Sequence, residues 1–160
     1  NLIGSAATGW MLYLFQGTLI DHIVLITFVP VITAMAGNVG AQSAMIMIRN
    51  YAAGRDQERS VWRHLGRESL TGIFIGAPCG VLLGVGATVW HGSWHVGLIV
   101  AVSLFLVMTV SAIIGSLAPS IFRRLGIDPA IAAGPFVTTA NDLIGIAVYM
   151  LVAAAVLSSI

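Results

Sequence analysis

Five long stretches of this chain carry almost no charge, and that pattern decides what the chain can fold into. Asn1–Ile20, Ile23–Ile48, Ser69–Trp90, Val96–Phe122 and Pro129–Ile160 hold one charged residue between them, Asp142. A helix rises ~1.5 Å per residue, so a stretch of about twenty apolar residues matches the ~30 Å hydrocarbon core of a bilayer. In that medium a backbone must satisfy its own hydrogen bonds, which selects helices. The sequence therefore predicts an all-α integral membrane domain with five spans, at residues 1–20, 23–48, 69–90, 96–122 and 129–157. Charged residues make up 8% of the chain, against roughly a quarter in soluble domains. The 160 residues leave no room for a second, soluble domain.

The arginines orient the spans. All seven basic residues are Arg; five lie between Arg49 and Arg67, and the others are Arg123 and Arg124. The loops after spans two and four face the same side, and the opposite loops hold only Asp21, His22, His91 and His95. The positive-inside rule puts the Arg-rich loops in the cytoplasm and the C-terminus outside, in a cell inner (plasma) membrane. A formal net charge of +1 excludes a basic nucleic-acid binder. The single cysteine, Cys79, excludes an internal disulfide or a cysteine metal knuckle within one chain. No HExxH or GxSxG motif and no phosphate-binding loop is present, and the four His lie in loops, so an enzyme is not expected.

Within the spans, the unusual residues are few. Gly72, Gly76, Gly80 and Gly84 form a smooth stripe on span three, which reads as close helix packing, with Pro78 bending the helix. On span two, Asn38 and Gln42 are i,i+4 neighbours, Met45 and Arg49 continue their stripe, Ala34 lies one turn before, and Gly37 and Gly40 keep the surroundings slim. Two carboxamides at that depth call for partners on other helices or for a water-filled path, and this feature alone leaves both open.

Span five carries the informative residue. Asp128-Pro129 reads as an N-cap with Pro at N1. Asp142 then falls near mid-membrane, where a carboxylate costs about 3 kcal/mol on insertion scales and marks a functional site by default. Thr138 precedes it by a turn, Gly145 and Tyr149 follow, and Pro135 frees the carbonyl of Ile131. One carboxylate cannot balance a divalent ion, but two related by a C2 axis can. The neighbouring groups are oxygen donors without thiolate or imidazole, which suits hydrated Mg²⁺ and also admits Mn²⁺, Ca²⁺ or a proton relay.

The motifs resemble a known family. Ala36-Gly-Asn-Val-Gly-Ala-Gln-Ser43 leading to Arg49 looks like the second-helix signature of the MgtE-type magnesium channels and transporters. Ile114-Gly-Ser-Leu-Ala-Pro119, Arg123-Arg-Leu-Gly-Ile-Asp-Pro129 and Ala133-Gly-Pro-Phe-Val-Thr-Thr-Ala-Asn-Asp-Leu-Ile-Gly145 look like the stretch before and through its fifth helix. The resemblance implies a homodimer in lipid with a pore lined by helices two and five. It implies Mg²⁺ recognition at Asp142, completed by Asn38 and the carbonyls of Ala34 and Thr138, with Asp128 at the cytoplasmic mouth. Gln42, Gly37, Met45, Gly145, Pro135 and Asn141 are then expected along the pore. Co²⁺ joins Mn²⁺ and Ca²⁺ as a further possible ion. The chain departs from the family at Ala34 and Ala36, where glycine is usual, and at Val39, often alanine; added methyls there are expected either to narrow the neck or to shift the carbonyls. The family's cytoplasmic sensing domains would precede Asn1. The reading is a Mg²⁺ channel or transporter domain working down the electrochemical gradient; the alternative is a cation- or proton-coupled antiporter that titrates Asp142.

Overall fold

The structure is a computed structural model that describes residues 2–17, 22–54 and 61–158, the side chains of residues 3, 61–65 and 132 excepted. Asp21, Arg55 and Arg59 lie outside the described residues, as do the side chains of Arg63 and His64. Among the described residues the regular elements are helical: α1 (Leu2–Leu14), a 3₁₀ segment (Ile23–Phe28), α2 (Val29–Ala52), α3 (Val61–His91), α4 (Trp94–Arg124) and α5 (Pro129–Leu157). Among the described residues four helical stretches are long and apolar enough to cross a membrane: Ile23–Ala52, Gly66–His91, Trp94–Arg124 and Ala133–Leu157. The 13 residues of α1 reach about 20 Å, short of a full crossing at ~1.5 Å per residue. The end of the first apolar run, residues 18–20, is not described.

Local chemistry explains where the helices start and stop. Pro30, in the first turn of α2, lacks an N–H and would press its ring on the carbonyl of residue 26 if the α-helix continued upstream. The chain before it winds instead as the tighter 3₁₀ form. Asp128 caps α5 by accepting a hydrogen bond from the Ala130 amide at 2.9 Å, with Pro129 as the first helical residue. Gly54, Gly92 and Gly126 follow the ends of α2, α3 and α4 with positive φ of 66°, 64° and 73°, the conformation that ends a helix at little cost in glycine. Helix α3 starts at Val61, eight residues before the expected span at Ser69, and runs through Pro78 as one element.

Helices α3 and α4 form an antiparallel pair joined through the glycine stripe. A Cβ at Gly72 would lie 2.6 Å from the Thr109 Cα, at Gly76 3.1 Å from the Phe105 carbonyl oxygen, and at Gly80 2.6 Å from the Ala101 carbonyl oxygen. At Gly84 it would lie 2.6 Å from the Ala101 Cβ. The stripe is thus backbone-to-backbone packing, the means by which helices associate where lipid removes the hydrophobic drive between them. The opposite side of α3 presents Phe74, Leu82, Val89 and Trp90 outward, a face suited to acyl chains. Trp90 and Trp94 stand exposed at the turn between the two helices, where aromatic side chains favour the membrane–water boundary.

Helices α2, α4 and α5 build the core. Ile32, Ala36, Leu104, Met108, Ile146 and Met150 are buried together. The Tyr149 hydroxyl donates to the Leu25 carbonyl at 2.8 Å in a buried bond, fastening α5 to the 3₁₀ segment. Helix α1 lies against α5, with Gly4 seated on Thr139. The arginine-bearing ends of α2 and α4 meet: Tyr51 shares a 2.6 Å hydrogen bond with Ser120 and lies under the Arg123 guanidinium at 4.5 Å. His91, in edge contact with Phe28, lies at the other end with His22 and His95. Among the described side chains, Arg49, Arg123 and Arg124 thus lie at the end opposite His22, His91 and His95.

The stripe yields a paired prediction. Gly80→Ala places a methyl where the Ala101 carbonyl stands and is expected to cost about 1–3 kcal/mol through overpacking. Gly86→Ala, with nothing within 4 Å, is expected to leave stability unchanged or slightly raised. Thermal unfolding of the two variants in one detergent checks the difference.

Candidate functional site on helices two and five

The placement of the polar residues follows from how α2 and α5 touch. A Cβ built on Gly145 would lie 3.6 Å from the Ala36 Cβ, and one on Gly40 would overlap the Asn141 carboxamide. These two contacts run in opposite directions along the two helices, so α2 and α5 are antiparallel. Asn38 lies midway between Ala36 and Gly40, and Asp142 lies between Asn141 and Gly145. The carboxamide and the carboxylate therefore occupy one level of the bundle.

At that level the helices leave a shared outward strip. On α2 the strip takes in the exposed Ala34, Asn38, Gln42 and Met45, with Gly37 half-buried among them; Met45 is 65% exposed. On α5 Gly134, Pro135 and Thr138 are exposed and Asp142 is half-buried. Gly37 and Gly134 have open space where a Cβ would be, so backbone is accessible along the strip. The Thr138 hydroxyl donates to the Gly134 carbonyl at 3.1 Å, which turns it back onto its own helix. The sequence places no Arg or Lys on α5 or in the uncharged run of α2, so neither helix supplies Asp142 with a cationic partner at its own depth.

The carbonyls of Ala34 and Thr138 lie inside regular helix. Each already faces the amide four residues on, that of Asn38 and of Asp142 respectively, and keeps its second lone pair for a ligand or a water. From Ala34 to Thr138 the strip covers about 14 Å along the axis, taking ~1.5 Å per residue in the register that sets Ala36 beside Gly145 and Gly40 beside Asn141. That length accommodates an ion with its water shell.

Two residues expected along the pore face elsewhere. Asn141 is 0% exposed, inserted against Gly40, and Gly145 is buried against Ala36 and Val107. For Asn141 the reason is geometric: consecutive helical residues point about 100° apart, so Asn141 cannot share the outward face of Asp142. Both polar atoms of its carboxamide are buried without a hydrogen-bond partner. The departures from the family pattern also divide. Ala36 and Val39 are buried in the core, so their methyls pack inward and do not narrow a passage; Ala34 alone of the three lies on the strip. Asp128 is exposed at the arginine end of the bundle, where its carboxylate is engaged as the α5 cap.

One contact was not anticipated from sequence. Gly115 of α4 meets the Gly40 backbone so closely that a Cβ at Gly115 would collide with the Gly40 carbonyl. Gly40 is thus pressed by α4 on one side and by Asn141 of α5 on the other. The Gly115-Ser116 pair in a span otherwise rich in large apolar residues was the available signal.

The fold and this strip define a polytopic helical membrane protein that displays a carboxylate and carboxamides within its apolar zone. Residues 29–152 match the MgtE family, described as a divalent cation transporter, and the chain belongs to that family. It is 35% identical over 153 residues to the magnesium transporter MgtE of Bacillus subtilis, covering 96% of this chain and 34% of that protein. It is 33% identical over 160 residues to the magnesium transporter MgtE of Thermus thermophilus, covering 99% and 35%. With the Enterococcus faecalis magnesium transporter MgtE the identity is 32% over 139 residues, covering 87% and 31%. The chain spans about a third of the length of these relatives.

The junction at Gly40 generates a second prediction. Gly40→Ala is expected to push Asn141 and Gly115 away and to disturb the Asn38–Asp142 level, lowering ion flux at least tenfold. Gly37→Ala, which meets nothing within 4 Å, is expected to leave folding unaltered. Flux assays paired with unfolding curves for both variants separate packing from passage.

Proposed function

We propose that this chain is the membrane domain of a Mg²⁺ channel or transporter, and that hydrated Mg²⁺ passes Asp142 down its electrochemical gradient into the cytoplasm. The observation that carries this reading is the level shared by Asp142 and Asn38 on a strip with no basic partner of its own. The family membership and the name of the three relatives support Mg²⁺ as the ion transported. The functional unit is a C2 homodimer with five spans per chain, in which α2 and α5 of both protomers face the axis and two Asp142 carboxylates together balance one dication.

The chemistry follows from the donors. Mg²⁺ dehydrates reluctantly and is commonly held by one or two carboxylates with several waters retained. Each Asp142 attracts the charge and accepts hydrogen bonds from the water shell. Asn38 orients shell waters through its carboxamide, while the remaining lone pairs of the Ala34 and Thr138 carbonyls accept from them. Gln42 and Met45 continue the path towards the cytoplasm, and Asp128 at that mouth adds negative charge. The membrane potential supplies the drive: about 2.3 kcal/mol per elementary charge per 100 mV, and twice that for a dication. No nucleotide hydrolysis is required.

The decisive test is Mg²⁺ uptake into liposomes under an imposed inside-negative potential, with an ion-sensitive dye, for the parent and for Asp142→Asn. Uptake is expected to follow the potential in the parent and to fall at least a hundredfold in the variant. Uptake that requires a proton gradient would instead support an antiporter, and equal flux in both proteins would remove Asp142 from the path.

A further inference from the structure

The polar motif on α2 ends in a residue that the ion path does not use. Ser43 closes the run Ala36-Gly-Asn-Val-Gly-Ala-Gln-Ser43 and is 4% exposed. In the register that sets Gly40 beside Asn141, it stands level with Thr138, at the arginine side of the strip. Five residues at ~100° each turn its side chain about 140° away from that of Asn38. Ser43 thus points into the bundle at the level where the strip ends.

Its hydroxyl is used differently from five threonine hydroxyls of the bundle. Thr8, Thr33, Thr88, Thr109 and Thr138 each donate to the carbonyl four residues back on their own helix, a common outlet for a hydroxyl inside a helix. Ser43 donates across to α3, to Oε2 of the Glu68 carboxylate at 3.1 Å. Glu68 is half-buried and falls within the crossing stretch Gly66–His91, where a carboxylate without a donor is costly. A hydrogen bond to a carboxylate is also shorter-ranged in its choices and stronger than one between neutral groups.

The bond has a task that packing leaves undone. Among the described residues α2 packs chiefly on α4 and α5, not on α3. At Gly40 the absent side chain sets how near those two helices come, but a glycine offers nothing to interlock against rotation. A hydrogen bond is directional. Placed about 60° round the helix from Gly40, the bond from Ser43 to Glu68 fixes how far α2 is turned. That same turn decides whether Asn38 and Gln42 face the strip or the core.

We propose that Glu68 is a positioning residue for Mg²⁺ passage: through its bond to Ser43 it holds the rotation of α2 that keeps Asn38 and Gln42 on the strip. This rests on the ion path proposed above. Helix α5 packs on α4, α2 and α1, so Glu68 of α3 acts on the ion through α2 and not by contact.

The test compares Mg²⁺ and Ca²⁺ uptake into liposomes under an imposed potential, per mole of folded protein, for Ser43→Ala, Glu68→Gln and Glu68→Met. Ser43→Ala and Glu68→Met remove the bond. Each is expected to lower Mg²⁺ uptake about fivefold, the equivalent of one hydrogen bond, and to change the ratio of Mg²⁺ to Ca²⁺ uptake. Glu68→Gln keeps an oxygen that accepts from Ser43 and is expected to stay within about twofold of the parent. The double variant Ser43→Ala/Glu68→Met is expected to fall no further than either single one, since both remove the same bond. Glu68→Gln as impaired as Glu68→Met, with Ser43→Ala at parental flux, would assign the effect to the charge and overturn the positioning role. Lower thermal stability with flux per folded protein and ion ratio unchanged would make the bond purely structural and overturn it too. Asp142→Asn in the same assay keeps the two readings apart. Parental flux there removes the ion path and the positioning role with it, whereas loss there with parental flux in the other three variants overturns the positioning role alone.

Discussion

The missing side chain at Gly40 is the constraint on which the candidate site depends. Three helices meet there: Gly115 brings the α4 backbone against that of α2, and Asn141 of α5 fills the space a methyl would take. In water such a junction would be one feature among many, because burial of apolar area would hold the helices together anyway. In lipid that drive is largely absent between helices, and association rests on close van der Waals packing and interhelical hydrogen bonds. The level at which Asn38 and Asp142 coincide is therefore set by backbone proximity, two residues away from the polar groups themselves. Changes in the strip and changes in the junction should be separable in kind, the first altering the ion's surroundings and the second altering helix spacing.

Much of this architecture was legible in the residues because the bilayer imposes so few solutions. Uninterrupted apolar runs marked α2 to α5, and Asp128-Pro129 marked the start of α5 to the residue. The glycine stripe on α3 announced packing, and the structure sets it on the backbone of α4. Asp142 was conspicuous because it is the one charged side chain in all five runs. The first run shows the limit of the method. Apolar length from Asn1 to Ile20 implies a crossing; the described part of that run holds a helix from Leu2 to Leu14 and residues 15–17 after it, and residues 18–20 lie outside the described residues.

Two residues expected along the pore lie off the strip for a common reason. Asn141 and Gly145 were grouped with it by position in a motif, and both are buried against α2. A helix turns its neighbours away from one another, and only knowledge of how far α5 and α2 are rotated tells which of two adjacent polar residues faces outward. Nothing in Asn141-Asp142 reveals that rotation. The same applies to Ser43 and Glu68: in the sequence they are separate features, and only the fold brings them into one hydrogen bond.

The backbone contact between α3 and α4 has a mechanical consequence. Four glycines one turn apart, seated on main-chain atoms and on the Ala101 methyl, leave no long side chain between the helices to change rotamer, which resists sliding or rolling of one against the other. They act as one stiff stave. Helix α5 is held differently, by a carboxamide wedge, a tyrosine hydroxyl and small apolar contacts, all of which can be remade at another angle. The side of the bundle whose contacts are easiest to remake is thus α5, and it is α5 that carries the carboxylate.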